Sequence, residues 1–245
     1  MAPIQSVLLV FAMEAEATPF IKVLDLKKDE PAKIAGPAPC VTYTGSHGDL
    51  KVHVVWNGKC AINDVCNVGT VPAALASYLA ILAIQPDLVI STGTAGGFKA
   101  QDAHIGDIFL STSVINHDRR IPIPGFDMYG MGHRTSPSCP NLQAACGFKK
   151  GVVSSGNSLD FTDKCMAIMI EHKVAVKEME AAAIAWVCEL FGKPLICVKS
   201  ITDIVDGGRP SQDEFLENLH AAAVALQGAL PKVLDFVAGK EMGEL

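Results

Sequence analysis

Apolar runs rich in β-branched residues recur along this chain with almost no polar alternation: Val7–Ala12, Val52–Trp56, Leu88–Thr92, Ile105–Ile115, Gly151–Ser154, Val174–Val176 and Pro194–Ile201. A strand with one wet face alternates apolar and polar residues, so continuous runs predict strands buried on both faces. Between them lie segments with helical patterning, Ala15–Leu24, Val68–Ile84, Lys164–Lys173, Ala181–Phe191 and Ser211–Gly239. Pro72 near the start of the second and Gln85-Pro86 after its end give that helix a defined start and stop. Ser211 with Glu214 three residues on predicts a capping box for the last. Strands alternating with helices imply an α/β fold, a three-layer α/β/α arrangement around a central, mostly parallel or mixed sheet. No linker, repeat or low-complexity tract divides the chain, so residues 1–245 are expected to form a single domain.

Charge and hydropathy narrow the function. Asp+Glu number 26 against Lys+Arg 20, a formal net charge of −6. The arginines are Arg119, Arg120, Arg134 and Arg209, and no basic run exceeds two residues. Nucleic-acid backbones are held by clustered cations, so this balance argues for a small polar substrate and against a nucleic-acid partner. The longest apolar stretch, Val71 to Ile90, is broken by Pro72, Ser77, Gln85, Pro86 and Asp87, which argues against a membrane span. The Val7–Phe11 run is short, lacks a basic lead-in and is followed by Glu14 and Glu16, so it reads as a buried first strand rather than an export signal. The eight cysteines form no C-x-x-C pair. A reducing, cytoplasmic setting is expected.

Open α/β sheets bind ligands at the carboxyl ends of their strands. The residues just beyond the runs are Ala12-Met13-Glu14-Ala15-Glu16, Gly93-Thr94-Ala95-Gly96-Gly97, Lys177-Glu178-Met179-Glu180 and Thr202-Asp203. The glycine-rich turn is neither G-x-G-x-x-G nor a Walker motif. By itself it is a tight turn, or a place where a ligand approaches the backbone with Thr94 offering a hydroxyl. Glu180 directly precedes a helix, whose dipole favours the anion. Such a carboxylate can cap that helix, or accept bonds from vicinal hydroxyls and stabilise developing positive charge. Asp203 follows an apolar run, a setting that raises a carboxyl pKa as a general acid requires. Its alternative is a turn aspartate ahead of Asp206-Gly207-Gly208. Glu14 and Glu16 could equally be first-turn helix glutamates. Each motif alone is ambiguous; their joint placement at strand ends is what points to a site.

Together, Ala12-Met-Glu-Ala-Glu16, Gly93-Thr-Ala-Gly-Gly97, Ser155-Gly-Asn157, Glu178-Met-Glu180-Ala and Ile201-Thr-Asp203 resemble the 5′-methylthioadenosine/S-adenosylhomocysteine nucleosidases of the nucleoside phosphorylase superfamily. Val68-Gly-Thr-Val-Pro72, His117-Asp-Arg-Arg-Ile-Pro122 and Asp203-Ile-Val-Asp-Gly207 with Glu214-Phe-Leu-Glu-Asn218 are similar to the plant-type branch. The resemblance implies hydrolysis of the N-glycosidic bond of 5′-methylthioadenosine to adenine and 5-methylthioribose, in methionine salvage. Asp203 would protonate or hydrogen-bond adenine N7, Glu180 would hold the ribose hydroxyls and stabilise an oxocarbenium-like transition state, and Glu16 would orient and deprotonate water. Main chain from Lys177 through Glu178 to Met179 would line the ribose, Thr94 would contact the nucleoside, and Leu159-Asp160 backbone would pair with the adenine edge. Met13, Met179, Leu159 and Phe215 would form an apolar slot for the methylthio group. No metal or organic cofactor is implied. A homodimer is, with the 116–141 loop and its Arg119, Arg120, Phe126 and Tyr129 helping to close the partner's pocket.

Bacterial members usually carry Ser where Thr94 stands, Phe-Ile where Leu159-Asp160 stand and Arg where Lys199 stands. The second difference alters the floor of the 5′ pocket, so methylthioadenosine is the expected main substrate and S-adenosylhomocysteine stays open. Two rival readings share the fold: a phosphate-dependent nucleoside phosphorylase, and a non-catalytic storage-type homologue. Against the first stands Glu16, which would face the phosphate; at ~4 Å and an effective dielectric of 20 that repulsion is about 4 kcal/mol per unit charge. Against the second stand the three carboxylates, all present.

Overall fold

A computed structural model describes residues 2–34 and 36–245. Along the chain run β1 (Ser6–Phe11), α1 (Glu14–Val23), β2 (Lys27–Lys28), β3 (Val41–His47), β4 (Leu50–Trp56), α2 (Thr70–Ile84), β5 (Leu88–Gly97), β6 (Ile108–Asn116), α3 (Phe126–Met131), β7 (Arg134–Thr135), α4 (Pro140–Cys146), β8 (Lys149–Ser155), α5 (Asp163–Glu171), β9 (Val174–Glu178), α6 (Ala181–Phe191), β10 (Leu195–Ile204) and α7 (Ser211–Val237).

The apolar runs do become strands buried on both faces. β1, β9 and β10 expose almost nothing. The sheet is mixed: β1 pairs in parallel with β4 and β5, β5 with β10, and β8 with β6 and β9. β3–β4, β5–β9 and β6–β10 are antiparallel. Strands β5, β10, β6, β8 and β9 therefore pair in a closed circuit, while β1, β4, β3 and β2 extend as an open sheet. β5 takes part in both because it is long: its first half lies between β1 and β10, and its end, Gly96–Gly97, turns onto β9.

Helices cover the sheet on two sides. Phe20 of α1, Leu142 of α4 and Leu226, Leu230 and Val233 of α7 pack with Phe11, Val52 and Ile90. On the other side Ala73, Ala76 and Ala80 of α2 and Ile184 of α6 pack with Leu8, Val10 and Val89. Small alanines at that spacing let α2 lie close to the sheet and to α6, and Pro72 sits in the first turn, where its missing N–H costs no helical bond. The outer face of α2 is apolar too: Val71 is 77% exposed and Leu82 54%, with Leu75 and Tyr78 between.

Local details depart from the sequence reading. The strand expected from Ile105 begins at Ile108, after a turn at Ile105 and Gly106 closed by the Asp107 N–H on the His104 carbonyl. The 116–141 stretch is not all loop, since α3 and β7 form within it. The capping box expected at Ser211 and Glu214 does not form: Pro210 holds the cap position, and Glu214 Oε2 accepts the Ile204 N–H at 2.9 Å. A donor freed where β10 ends outcompetes the helix's own orphan amides. Among the described residues no helix is long and apolar enough to cross a membrane.

Candidate active site

The carboxyl ends of β1, β5, β9 and β10 meet in one hollow. Past a bulge at Ile201–Asp203, Asp203 of β10 pairs with Gly96 of β5, and Gly96 pairs on its other edge with Lys177 of β9. The glycine turn makes the room. A Cβ on Gly96 would stand 2.8 Å from Asp203 Oδ2 and 2.6 Å from Val205 Cγ2. One on Gly93, whose φ of +142° already disfavours a side chain, would stand 3.0 Å from Glu16 Oε1. The two glycines are thus the spaces that two carboxylates fill.

The resulting cavity has a volume of ≈ 230 Å³. Met13, Glu16, Thr94, Leu159, Lys177, Glu178, Met179, Glu180, Asp203 and Phe215 all line it, with Ala12, Val68, Ala95, Gly96 and Thr202. Asp160 is not part of the lining and is exposed. The four residues read as an apolar slot, Met13, Met179, Leu159 and Phe215, arrive from four different segments.

Glu16 is buried in the first turn of α1. Its Oε1 accepts the Thr94 N–H at 2.7 Å and the Thr94 hydroxyl at 2.6 Å, and Oε2 accepts the Met13 N–H at 3.1 Å. Burial pushes its carboxyl up, while the Thr94 bonds and the charge of Lys199 hold it back. Such a balance suits a base that must take a proton near neutrality.

Glu178 and Glu180 divide two tasks that the sequence assigned differently. Glu178, not Glu180, sits over the start of α6: its carboxylate accepts the N–H groups of Glu180 and Ala181 at 2.9–3.0 Å and the Ser155 hydroxyl. Lys199 Nζ lies 3.1 Å from Glu178 Oε2, with both side chains almost fully buried. Glu180 is the cap residue of α6, as expected, but its carboxylate makes no bond there; it meets the amino end of α2 instead, where the Gly69 N–H donates to its Oε1 at 2.8 Å. Burial first, then the neighbouring charge of Glu178, raise the Glu180 carboxyl to about 7; Lys199 and the Gly69 bond oppose the rise. The dipole effect is present, but desolvation outweighs it.

Asp203 is buried, and Thr202 Oγ1 donates to its Oδ1 at 2.8 Å. Its carboxyl is raised by burial, opposed by the Thr202 and Ser211 hydroxyls and by Lys177. Three carboxyl groups from distant parts of the chain therefore share one hollow, each displaced toward neutrality by burial. Among the described residues the lining contains no arginine. Arg134 pairs with Glu189, Arg209 with Glu217, Arg119 bonds the Tyr129 carbonyl and Arg120 the His117 carbonyl.

Sequence reasoning missed the parts played by Gly69 and Lys199. Gly69 lies in a motif that was noted without a role. Lys199 stood in plain view as a lone cation inside the apolar run Pro194–Ile201, a pattern that signals a buried, paired charge.

Comparison with known proteins agrees with this geometry. The model of the phosphorylase superfamily matches residues 6–235. The 5′-methylthioadenosine nucleosidase of Arabidopsis thaliana is 42% identical over 243 residues, covering 99% of this chain and 91% of that one. The 5′-methylthioadenosine/S-adenosylhomocysteine nucleosidase of the same plant is also 42% identical over 243 residues, covering 99% and 96%. The solved apo structure of Arabidopsis thaliana 5′-methylthioadenosine nucleosidase superimposes with a TM-score of 0.97, covering 99% of this chain and 100% of that one. Carboxylates gathered from three strand ends around the glycine turn of a fourth, a mixed sheet and similarity along nearly the whole length lead to one conclusion: the chain belongs to the phosphorylase superfamily, among its plant-type 5′-methylthioadenosine (S-adenosylhomocysteine) nucleosidases.

Proposed function

We propose that this chain hydrolyses the N-glycosidic bond of 5′-methylthioadenosine, releasing adenine and 5-methylthioribose in methionine salvage. The observation that carries the reading is the convergence of Glu16, Glu180 and Asp203 on one cavity, each carboxyl raised by burial. Cleaving this bond requires a proton for the leaving base, an anion near the developing oxocarbenium ion and a base for water. Asp203, raised and apolar-walled, supplies the first. Glu180, on the Gly69 N–H, accepts from the ribose hydroxyls and becomes the anion as they bind. Glu16, held by Thr94 and Met13, takes the water proton. Leu159, Met13, Met179 and Phe215 receive the thioether, and of the Leu159–Asp160 pair it is the Leu159 main chain, on the cavity wall, that meets the adenine edge.

Water is favoured over phosphate as the nucleophile because the Glu16 carboxylate in the wall would repel the anion and, among the described residues, no arginine fork lines the cavity. Adenine release from methylthioadenosine in phosphate-free buffer is the test. A strict phosphate requirement, with 5-methylthioribose-1-phosphate as product, overturns hydrolysis. Methylthioadenosine is the main substrate in this reading, and turnover of S-adenosylhomocysteine measured beside it decides whether the longer thioether is accepted; two Arabidopsis relatives, one named for methylthioadenosine and one for both nucleosides, are equally similar to this chain.

The reading extends to assembly and place. Residues 1–245 act as a single domain, and two copies pair through the exposed apolar faces of α2 (Val71, Leu75, Leu82) and α6 (Trp186, Leu190), with Phe126, Met128 and Tyr129 beside them. The 116–141 segment then reaches the partner's pocket. Sedimentation at micromolar concentration should give a dimer; a monomer removes the shared pocket. The free thiols suit the cytoplasm, which cell fractionation checks.

A further inference from the structure

Lys177 is a buried residue of the cavity lining, and the chemistry above makes no use of its ammonium. Nζ donates to the Leu159 carbonyl at 2.7 Å and to the Ser158 carbonyl at 3.1 Å. An ammonium withdrawn from water costs several kcal/mol unless partners compensate. Here the partners are main-chain oxygens of the irregular stretch 156–162, which contains no helix or strand. Lys177 itself is on a rigid strand, and it pairs with the same Gly96 that pairs on the other side with Asp203. The ammonium thus links a loop with no regular support of its own to the strand end that carries the acid.

We infer that Lys177 is a positioning residue: its ammonium fixes the Ser158–Leu159 main chain opposite the Asp203 carboxyl, so that the two edges of the purine site keep their separation. The inference rests on the nucleosidase reading, because it presumes a purine between those edges. The charged and titratable groups acting on Asp203 are Lys177 from β9 and Glu214 from α7, with the Ser211 and Thr202 hydroxyls bonded to it. Around Lys177 stand Asp203, Glu178, Asp160 and Cys165, with His117 close by. Lys177 lowers the Asp203 carboxyl while Glu214, itself 3.8 Å from Arg209, raises it; without the ammonium Asp203 keeps its proton to higher pH.

The test is Lys177→Met and Lys177→Arg beside the wild type, with steady-state kinetics across pH and calorimetry of adenine binding. Lys177→Met should raise KM for methylthioadenosine and the Kd of adenine about tenfold or more, change kcat at its optimum less, and move the basic limb of kcat/KM to higher pH. Lys177→Arg, which keeps the charge and its donors, should recover both. If the Met variant does not fold, Lys177→Gln, neutral but still a donor, must show the same shift of the basic limb. Wild-type KM, adenine affinity and pH limb in the neutral variant overturn the role of Lys177 alone. A wild-type chain that releases no adenine overturns the nucleosidase reading and this inference with it.

Discussion

Lys199 Nζ lies 3.1 Å from Oε2 of Glu178, a residue of the cavity wall, in surroundings that leave neither side chain more than 2% exposed. The pair is asymmetric. Glu178 is also held by the Glu180 and Ala181 amides and the Ser155 hydroxyl, whereas Lys199 has Glu178 as its ion-pair partner. Removing one partner of a buried pair costs about 3–5 kcal/mol. Glu178→Gln, which strands the cation, should therefore destabilise more than Lys199→Met, which leaves the anion on a helix amino end. Denaturant unfolding of both variants checks the order, and equal losses would contradict it. Lys199→Met should also move the acid limb of kcat/KM upward, because Lys199 lowers the carboxyls of both Glu16 and Glu180.

Asp203→Asn keeps the shape and the Thr202 contact but carries no acidic proton. Turnover should fall about 10²–10⁴-fold with KM nearly unchanged. Wild-type turnover in this variant would remove Asp203 as the acid.

Thr94→Val takes away the hydroxyl that bonds Glu16 and leaves the backbone N–H in place. That hydroxyl lowers the Glu16 carboxyl, so its loss raises it further. Glu16 must be ionised to act as a base, so the acid limb of the rate profile should move to higher pH. An unmoved limb would mean that Glu16 is not the titrating base.

Gly96→Ala places a methyl 2.8 Å from Asp203 Oδ2 and 2.6 Å from Val205 Cγ2. Overpacking of this kind costs about 1–3 kcal/mol, and the displaced acid should lower kcat as well. Gly228→Ala is the control. It lies within α7 with nothing inside 4 Å of the added carbon, and should stabilise by up to about 1 kcal/mol without touching activity. Chemical denaturation and kinetics of the two variants read both effects.

Glu180 titrates near 7 in the folded chain against an ordinary 4.5. A raised carboxyl gives a contribution that is complete below 4.5 and disappears as pH climbs through 7. Glu180→Gln lacks that loss, so its stability relative to wild type should improve between pH 4 and pH 8, by up to about 3 kcal/mol. A pH-independent difference in melting between the two proteins would show that Glu180 is an ordinary carboxylate.

Much of the fold was legible because its strands are buried on both faces: Val7–Phe11 and Leu195–Ile201 could find no wet side, so their apolar runs reveal both strand and layer. The candidate acids were visible for a related reason, since a carboxylate directly after such a run must lie at a strand end. The amino-acid order could not say which amides each carboxylate would meet. Glu178 and Glu180 both lie within three positions of the start of α6, yet the carboxylate of one bonds that helix's amides and the carboxylate of the other meets Gly69 ahead of α2, more than a hundred positions away. Glu214 likewise left its expected cap for the end of β10. Hydrogen bonds to orphan donors are settled by proximity after the layers pack, and burial, which raises all three carboxyl groups, exists only once they have closed around the cavity.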